Sequence, residues 1–111
     1  MSDSNDAQQR AADALAAEKL AQLLQLYAAH QIVPDAVQRQ MLVSHVRAMA
    51  WRSLTGEPLP AVEADLFDDI SAGSLALAQQ GVDLFGNLPP QEAWLLSVHI
   101  EVAKANTDST R

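Results

Sequence analysis

The chain has 111 residues, the size of one domain, and can build a hydrophobic core without disulfides or metals. It has no cysteine, which excludes thiolate zinc sites, disulfide frameworks and cysteine nucleophiles. Seven basic and fourteen acidic residues give a formal net charge of -7, so we expect no direct binding of nucleic acid. We also expect a cytoplasmic protein, because neither a signal pattern nor an apolar run of bilayer length is present.

The polar ends of the chain set the predicted limits of the domain. Residues 1–10 and 107–111 carry almost no apolar side chains, and we expect both segments to be flexible. The helical domain should therefore occupy residues 11–106.

Two long helices are predicted in the first half of the chain. Residues 11–30 are rich in Ala, Leu, Gln and Glu, which favour helix, and their leucines form an apolar stripe. Pro34 suits the first position of a second helix, and Asp35 in its first turn complements the helix dipole. That helix should run to about Leu54, because Gly56 favours a left-handed helix end.

The second half of the chain predicts shorter helices. A third helical stretch should begin near Pro60, be divided at Gly73 and end at Gly81. The prolines at 89–90 fit the first turn of a last helix that reaches about Asn106. The predicted fold is thus an all-α, compact antiparallel bundle of four to five helices.

Few side chains suggest chemistry. The sequence has no phosphate-binding glycine loop, nucleophile elbow or zinc and calcium motif, so we predict no catalytic residue, metal or cofactor. Three histidines remain. His30, at the end of the first helix, suits the helix dipole and needs no functional role. For His45 and His99, a hydrogen-bonded histidine at the edge of the core is the simpler interpretation of each residue taken alone.

Two segments taken together resemble a known family. In residues 42–52, LVSHVRAMAWR, His45 is followed seven residues later by Arg52. In residues 88–100, LPPQEAWLLSVHI, a proline-led start is followed by Glu92 and, seven residues on, by His99. These segments are similar to the two histidine helices of the PTS regulation domain (PRD) family, found in bacterial transcriptional antiterminators. The resemblance covers roughly residues 12–106.

The resemblance implies a phosphorylation-responsive regulatory domain of the sugar phosphotransferase system and not an enzyme. His45 and His99 would accept phosphoryl groups from HPr or an enzyme II B component, with Arg52 and Glu92 in support. Seven residues are about two helical turns, so each histidine shares a helix face with its polar partner. An imidazole with a pKa near 6.5 also keeps a neutral nucleophilic nitrogen at cytosolic pH.

The same resemblance bears on partners. PRD proteins generally carry an RNA-binding or DNA-binding module, so we expect this chain to act in trans on a transcriptional regulator, antiterminator or transport protein. The apolar surroundings of the histidines favour a homodimer. A small helical adaptor that dimerises without phosphoryl transfer is the main alternative. An enzyme with a metal site in the bundle is a third and weaker hypothesis, because no ExxH pair is present.

Overall fold

The computed structural model describes residues 2–59 and 69–109, with side chains over 6–59 and 69–106. Four helices account for most of these residues: α1 (Ser2–Ala29), α2 (Ala36–Thr55), α3 (Ala72–Asp83) and α4 (Gln91–Ser109). No strand occurs in the described ranges. The predicted all-α bundle is confirmed.

The first helix is longer than predicted. It begins at Ser2 instead of near Ala11, but it contributes buried side chains only from Ala12 to Tyr27. The residues at 6–11 are exposed, in agreement with their polar composition. The flexibility expected of both chain ends stays a prediction.

Side-chain and backbone caps fix both ends of α2. Asp35 is the N-cap and precedes the helix, whereas we predicted it in the first turn; its Oδ1 accepts from the Gln38 amide at 2.8 Å. The Gln38 side chain accepts from the Asp35 amide in return, which completes a capping box. At the other end Gly56 adopts φ 73°, and its amide donates to the Arg52 carbonyl at 2.9 Å. The caps set the ends of the helix that carries His45.

Neither glycine of α3 interrupts the helix. The prediction that the helix ends at Gly81 was wrong, because α3 continues to Asp83, whereas the predicted division at Gly73 depends on residues outside the described ranges. Gly73 lies in the first turn, after the N-cap Ser71, and does not divide the helix. Gly81 lies before the end of the helix, where an added Cβ would come within 2.8 Å of Leu96 and 3.0 Å of Leu23. The missing side chain permits close packing, so Gly81 serves helix contact and not helix termination. The predicted start near Pro60 lies outside the described residues.

The helices pack as antiparallel neighbours around one core. Contacts pair α1 with α2 and α3 with α4, and α2 also lies against α4. Buried side chains from all four helices meet between them, including Tyr27, Met49, Leu77 and Leu96. We predicted Pro89 and Pro90 in the first turn of the last helix, but both precede α4, which begins at Gln91 with Glu92 in its first turn. This arrangement places the two helices that carry His45 and His99 side by side.

Candidate functional site: a polar seam between two helices

Three polar pairs line the contact between α2 and α4. On each helix the members are seven residues apart, about two turns, so they occupy one face. Because α2 and α4 run antiparallel, each of the three positions on α2 lies opposite one of the three positions on α4. We call these six residues the polar seam: Gln38 with Asn106, His45 with His99, and Arg52 with Glu92.

The two histidines form the central pair. Their ring centroids are 4.8 Å apart and the ring planes are tilted by 32°. Both side chains are half-buried, and the Nε2 atom of His45 is buried with no hydrogen-bond partner among the described residues. Burial lowers the pKa of His45 to about 4, and the nearby His99 and Arg52 act in the same direction. Burial also lowers the pKa of His99. Two neutral imidazoles therefore face each other at neutral pH.

A bidentate ion pair closes one end of the seam. Arg52 Nε donates to Glu92 Oε2 at 2.6 Å, and Arg52 Nη2 donates to Glu92 Oε1 at 2.7 Å. The Glu92 side chain is 0% exposed and that of Arg52 is 13% exposed. A carboxylate buried to this degree is tolerable because both oxygens receive charge-assisted hydrogen bonds. The pair ties the last turn of α2 to the first turn of α4.

Two amide side chains form the opposite end of the seam. Gln38 Nε2 donates to Asn106 Oδ1 at 3.3 Å and to the Val102 carbonyl at 3.2 Å. Asn106 Nδ2 donates back to Gln38 Oε1 and to the Val33 carbonyl. Sequence analysis missed this pair. Its signal was present, since each amide lies seven residues from a histidine on the same helix.

The structure brings all four predicted site residues into one interface. His45 and His99 contact each other, whereas Arg52 and Glu92 bond to each other across the helices. The sequence analysis had assigned each of the latter two to the histidine of its own helix. His30 lies apart, exposed after α1 and at the lining of a separate cavity of about 270 Å³.

The seam offers nucleophiles, one cation and no assembled metal site. A neutral imidazole nitrogen can attack an electrophilic phosphorus, and a guanidinium can bind the oxygens of the transferred group. In residues 2–59 and 69–109, no three His, Asp or Glu side chains cluster in a way that could hold a metal ion. None of the helices described in those ranges combines the length and apolar character needed to cross a membrane.

Comparison with known proteins assigns the family. No family model matches the sequence, and no curated protein gives a significant match. Among solved structures, the chain is similar to a PRD-containing transcription regulator from Lactobacillus casei ATCC 334. The two share 38% sequence identity and superpose with a TM-score of 0.78, over 81% of this chain and 80% of that one. Identity and coverage at this level, together with the paired histidine helices, show that this chain belongs to the PTS regulation domain family.

Proposed function

We propose that this chain is a regulatory domain that responds to phosphorylation at the His45–His99 pair. The observation that carries the proposal is the contact of the two neutral imidazoles beside Arg52. Membership of the PRD family supports a regulatory, non-enzymatic role, since the similar structure is that of a transcription regulator. The donor would be HPr or an enzyme II B component of the sugar phosphotransferase system.

The chemistry requires one free lone pair on an acceptor imidazole. That nitrogen attacks the phosphorus of the donor phosphohistidine or phosphocysteine as the donor P–N or P–S bond breaks. The new N–P bond forms on this chain, and the leaving donor atom takes back its electron pair. The lowered pKa values of His45 and His99 favour the reaction because protonation would occupy the attacking lone pair.

The two rings differ in access. The Nε2 atom of His45 is buried, and burial shifts the pKa of His45 further than any other cause. We expect His99 to be phosphorylated first, with His45 reached after local opening of the seam.

Phosphorylation would disturb the contact between α2 and α4. A phosphoryl group adds roughly 1.5 to 2 negative charges, and the facing ring is only 4.8 Å away between centroids. Repulsion and desolvation cost then favour separation of the helices or a new partner surface. The output would act in trans on a transcriptional regulator, antiterminator or transport protein, with the domain as a cytoplasmic homodimer.

Exposed apolar side chains also suit the alternative function, a helical adaptor that dimerises without phosphoryl transfer. Val37 and Met41 on α2 and Val102 on α4 are 65%, 56% and 45% exposed, close to the histidines along each helix. Such a surface suits a partner or a second copy whether or not phosphate is transferred. An adaptor would bind its partner unchanged after its histidines are replaced, and that behaviour separates the two functions.

A phosphotransferase relay tests the proposal. Enzyme I, HPr and an enzyme II B component would be incubated with labelled phosphoenolpyruvate and the wild-type chain. We expect acid-labile label that falls after His45→Ala or His99→Ala and disappears in the double variant. His30→Ala is the matched control, since His30 is exposed and outside the seam. Absence of label in the wild type, or full labelling of the double variant, would overturn the proposal.

A further inference from the structure

Arg52 is the cation that the polar seam offers to a phosphoryl group. Arg39 on α2 is exposed, and two further basic side chains near α2 and α4 have partners outside the seam. Arg47 pairs with Asp13 of α1 at 3.2 Å and is 57% exposed. Lys104 donates to Ser71 and Ser74 at the start of α3. Only Arg52 is both inside the seam and close enough to His45 to lower the pKa of that residue.

One edge of the Arg52 guanidinium, formed by Nε and Nη2, is already occupied by Glu92. Both carboxylate oxygens accept from Arg52, at 2.6 and 2.7 Å, and the Glu92 side chain has no exposed surface. A carboxylate that loses its partner in such a place is strongly disfavoured, because water cannot replace the hydrogen bonds without opening the helix contact. An anion that takes the Nε–Nη2 edge of Arg52 must therefore compete with Glu92 for it.

Helix geometry allows Arg52 to exchange Glu92 for a phosphoryl group on His45. His45 and Arg52 are two turns apart, about 10 Å along the axis, and share one face of α2. Side chains on an α-helix lean toward its N-terminus, so the long Arg52 side chain is directed from its backbone toward His45. The charge of Arg52 already acts on the His45 ring in the resting state, so a phosphoryl group on that ring lies within its influence. One guanidinium can then face either the phosphate or the carboxylate.

We infer that Glu92 and a phosphoryl group on His45 compete for Arg52, so that the Arg52–Glu92 pair is a latch that phosphorylation opens. This inference rests on the proposed function. Glu92 is a positioning residue: it holds Arg52 in the resting state and does not touch the reacting atoms. When Arg52 turns to the phosphate, Glu92 loses its compensating charge, and the first turn of α4 separates from α2.

A charge mimic tests the competition without any phosphoryl donor. His45→Glu places a carboxylate within reach of Arg52, and His45→Gln is the neutral control of the same shape. We expect the Arg52 Nε–Hε signal in NMR spectra to shift in His45→Glu but to stay near its wild-type position in His45→Gln. The thermal midpoint should fall by roughly 5 °C more for His45→Glu than for His45→Gln. In a Glu92→Gln background most of that difference should vanish.

The phosphorylated protein provides the second readout. Potassium phosphoramidate can phosphorylate histidine directly, since its P–N bond breaks and ammonia leaves as the new N–P bond forms. In a His99→Ala background, Glu92→Gln should lengthen the lifetime of phosphorylated His45 by about tenfold, the effect of one hydrogen bond to a charged group. Arg52→Lys should shorten this lifetime, because an ammonium group cannot form the paired hydrogen bonds of a guanidinium.

The outcomes separate the latch from the function. If the mimic leaves the Arg52 signal unmoved, or if Glu92→Gln changes neither the midpoint difference nor the lifetime, the latch is wrong while phosphoryl acceptance stands. If neither histidine of the wild type accepts a phosphoryl group from phosphoramidate or from the relay, the proposed function is wrong. In that case, a shift of the Arg52 signal in His45→Glu would still show that an anion at position 45 competes with Glu92 for Arg52.

Discussion

The ring centroids of His45 and His99 lie 4.8 Å apart, and the burial of both imidazoles makes the stability of the domain depend on pH. Burial holds the pKa of His45 at about 4 in the folded state and also lowers the pKa of His99. The unfolded chain titrates its histidines near pH 6.5. Between pH 6.5 and about 4 the unfolded state therefore binds protons that the folded state does not. The stabilisation is complete above pH 6.5 and is lost as the pH falls through this window.

The size of this effect can be measured by urea unfolding at a series of pH values. We expect His45 to contribute about 2 to 3 kcal/mol to the loss of unfolding free energy between pH 7 and pH 4. His45→Gln should flatten the curve, whereas His30→Gln, at an exposed position, should leave its slope unchanged. Parallel curves for His45→Gln and the wild type would refute the burial of His45.

The Arg52–Glu92 pair predicts an asymmetric response to substitution. Arg52→Ala leaves the fully buried Glu92 carboxylate without compensation and should reduce the unfolding free energy by about 3 to 5 kcal/mol. Replacing both residues, with Arg52→Met and Glu92→Gln, should cost less than Arg52→Ala alone. Chemical denaturation of the wild type and of both variants checks this order. An Arg52→Ala variant with the unfolding free energy of the wild type would mean that Glu92 reaches water in solution.

The two glycines of α3 predict opposite effects of the same substitution. Gly81→Ala puts a Cβ within 2.8 Å of Leu96 Cδ2 and 3.0 Å of Leu23 Cδ1 and should destabilise the fold by about 1 to 3 kcal/mol. Gly73→Ala meets Lys104 Nζ at 4.0 Å and no other atom of the described residues within that distance, and it should stabilise the helix by up to about 1 kcal/mol. Thermal unfolding of both variants decides, and a stabilising Gly81→Ala would show that α3 and α4 are less closely packed.

The proposed homodimer, with its interface next to the histidines, predicts a response to negative charge. On a two-fold axis, charge added to one subunit is added to both. His45→Asp or His99→Asp should therefore shift the monomer–dimer balance further than Ala at the same position. Sedimentation over a concentration series measures the balance. A wild-type monomer at every concentration would remove the dimer from the account, and equal behaviour of Asp and Ala would make the histidines ordinary packing residues.

The sequence predicted the all-α fold and the two histidine helices because apolar spacing and helix caps are local signals. It did not predict how the polar partners pair. Seven-residue spacing showed that Arg52 and Glu92 each share a face with a histidine, but only the antiparallel contact of α2 and α4 brings them together. Gly81 was misinterpreted for a similar reason, since a glycine that ends a helix and one that permits close packing look alike in sequence.

The most direct test of the account is hydrogen exchange of the domain before and after phosphorylation. Peptides from α2 around His45 and Arg52 and from the first half of α4 should exchange faster once the domain is phosphorylated, because the polar seam opens there. The part of α1 that packs in the core should change little. The doubly substituted His45→Ala, His99→Ala chain, treated in the same way, should show no difference. Phosphorylation of His45 or His99 that leaves exchange in α2 and α4 unaltered would contradict the account.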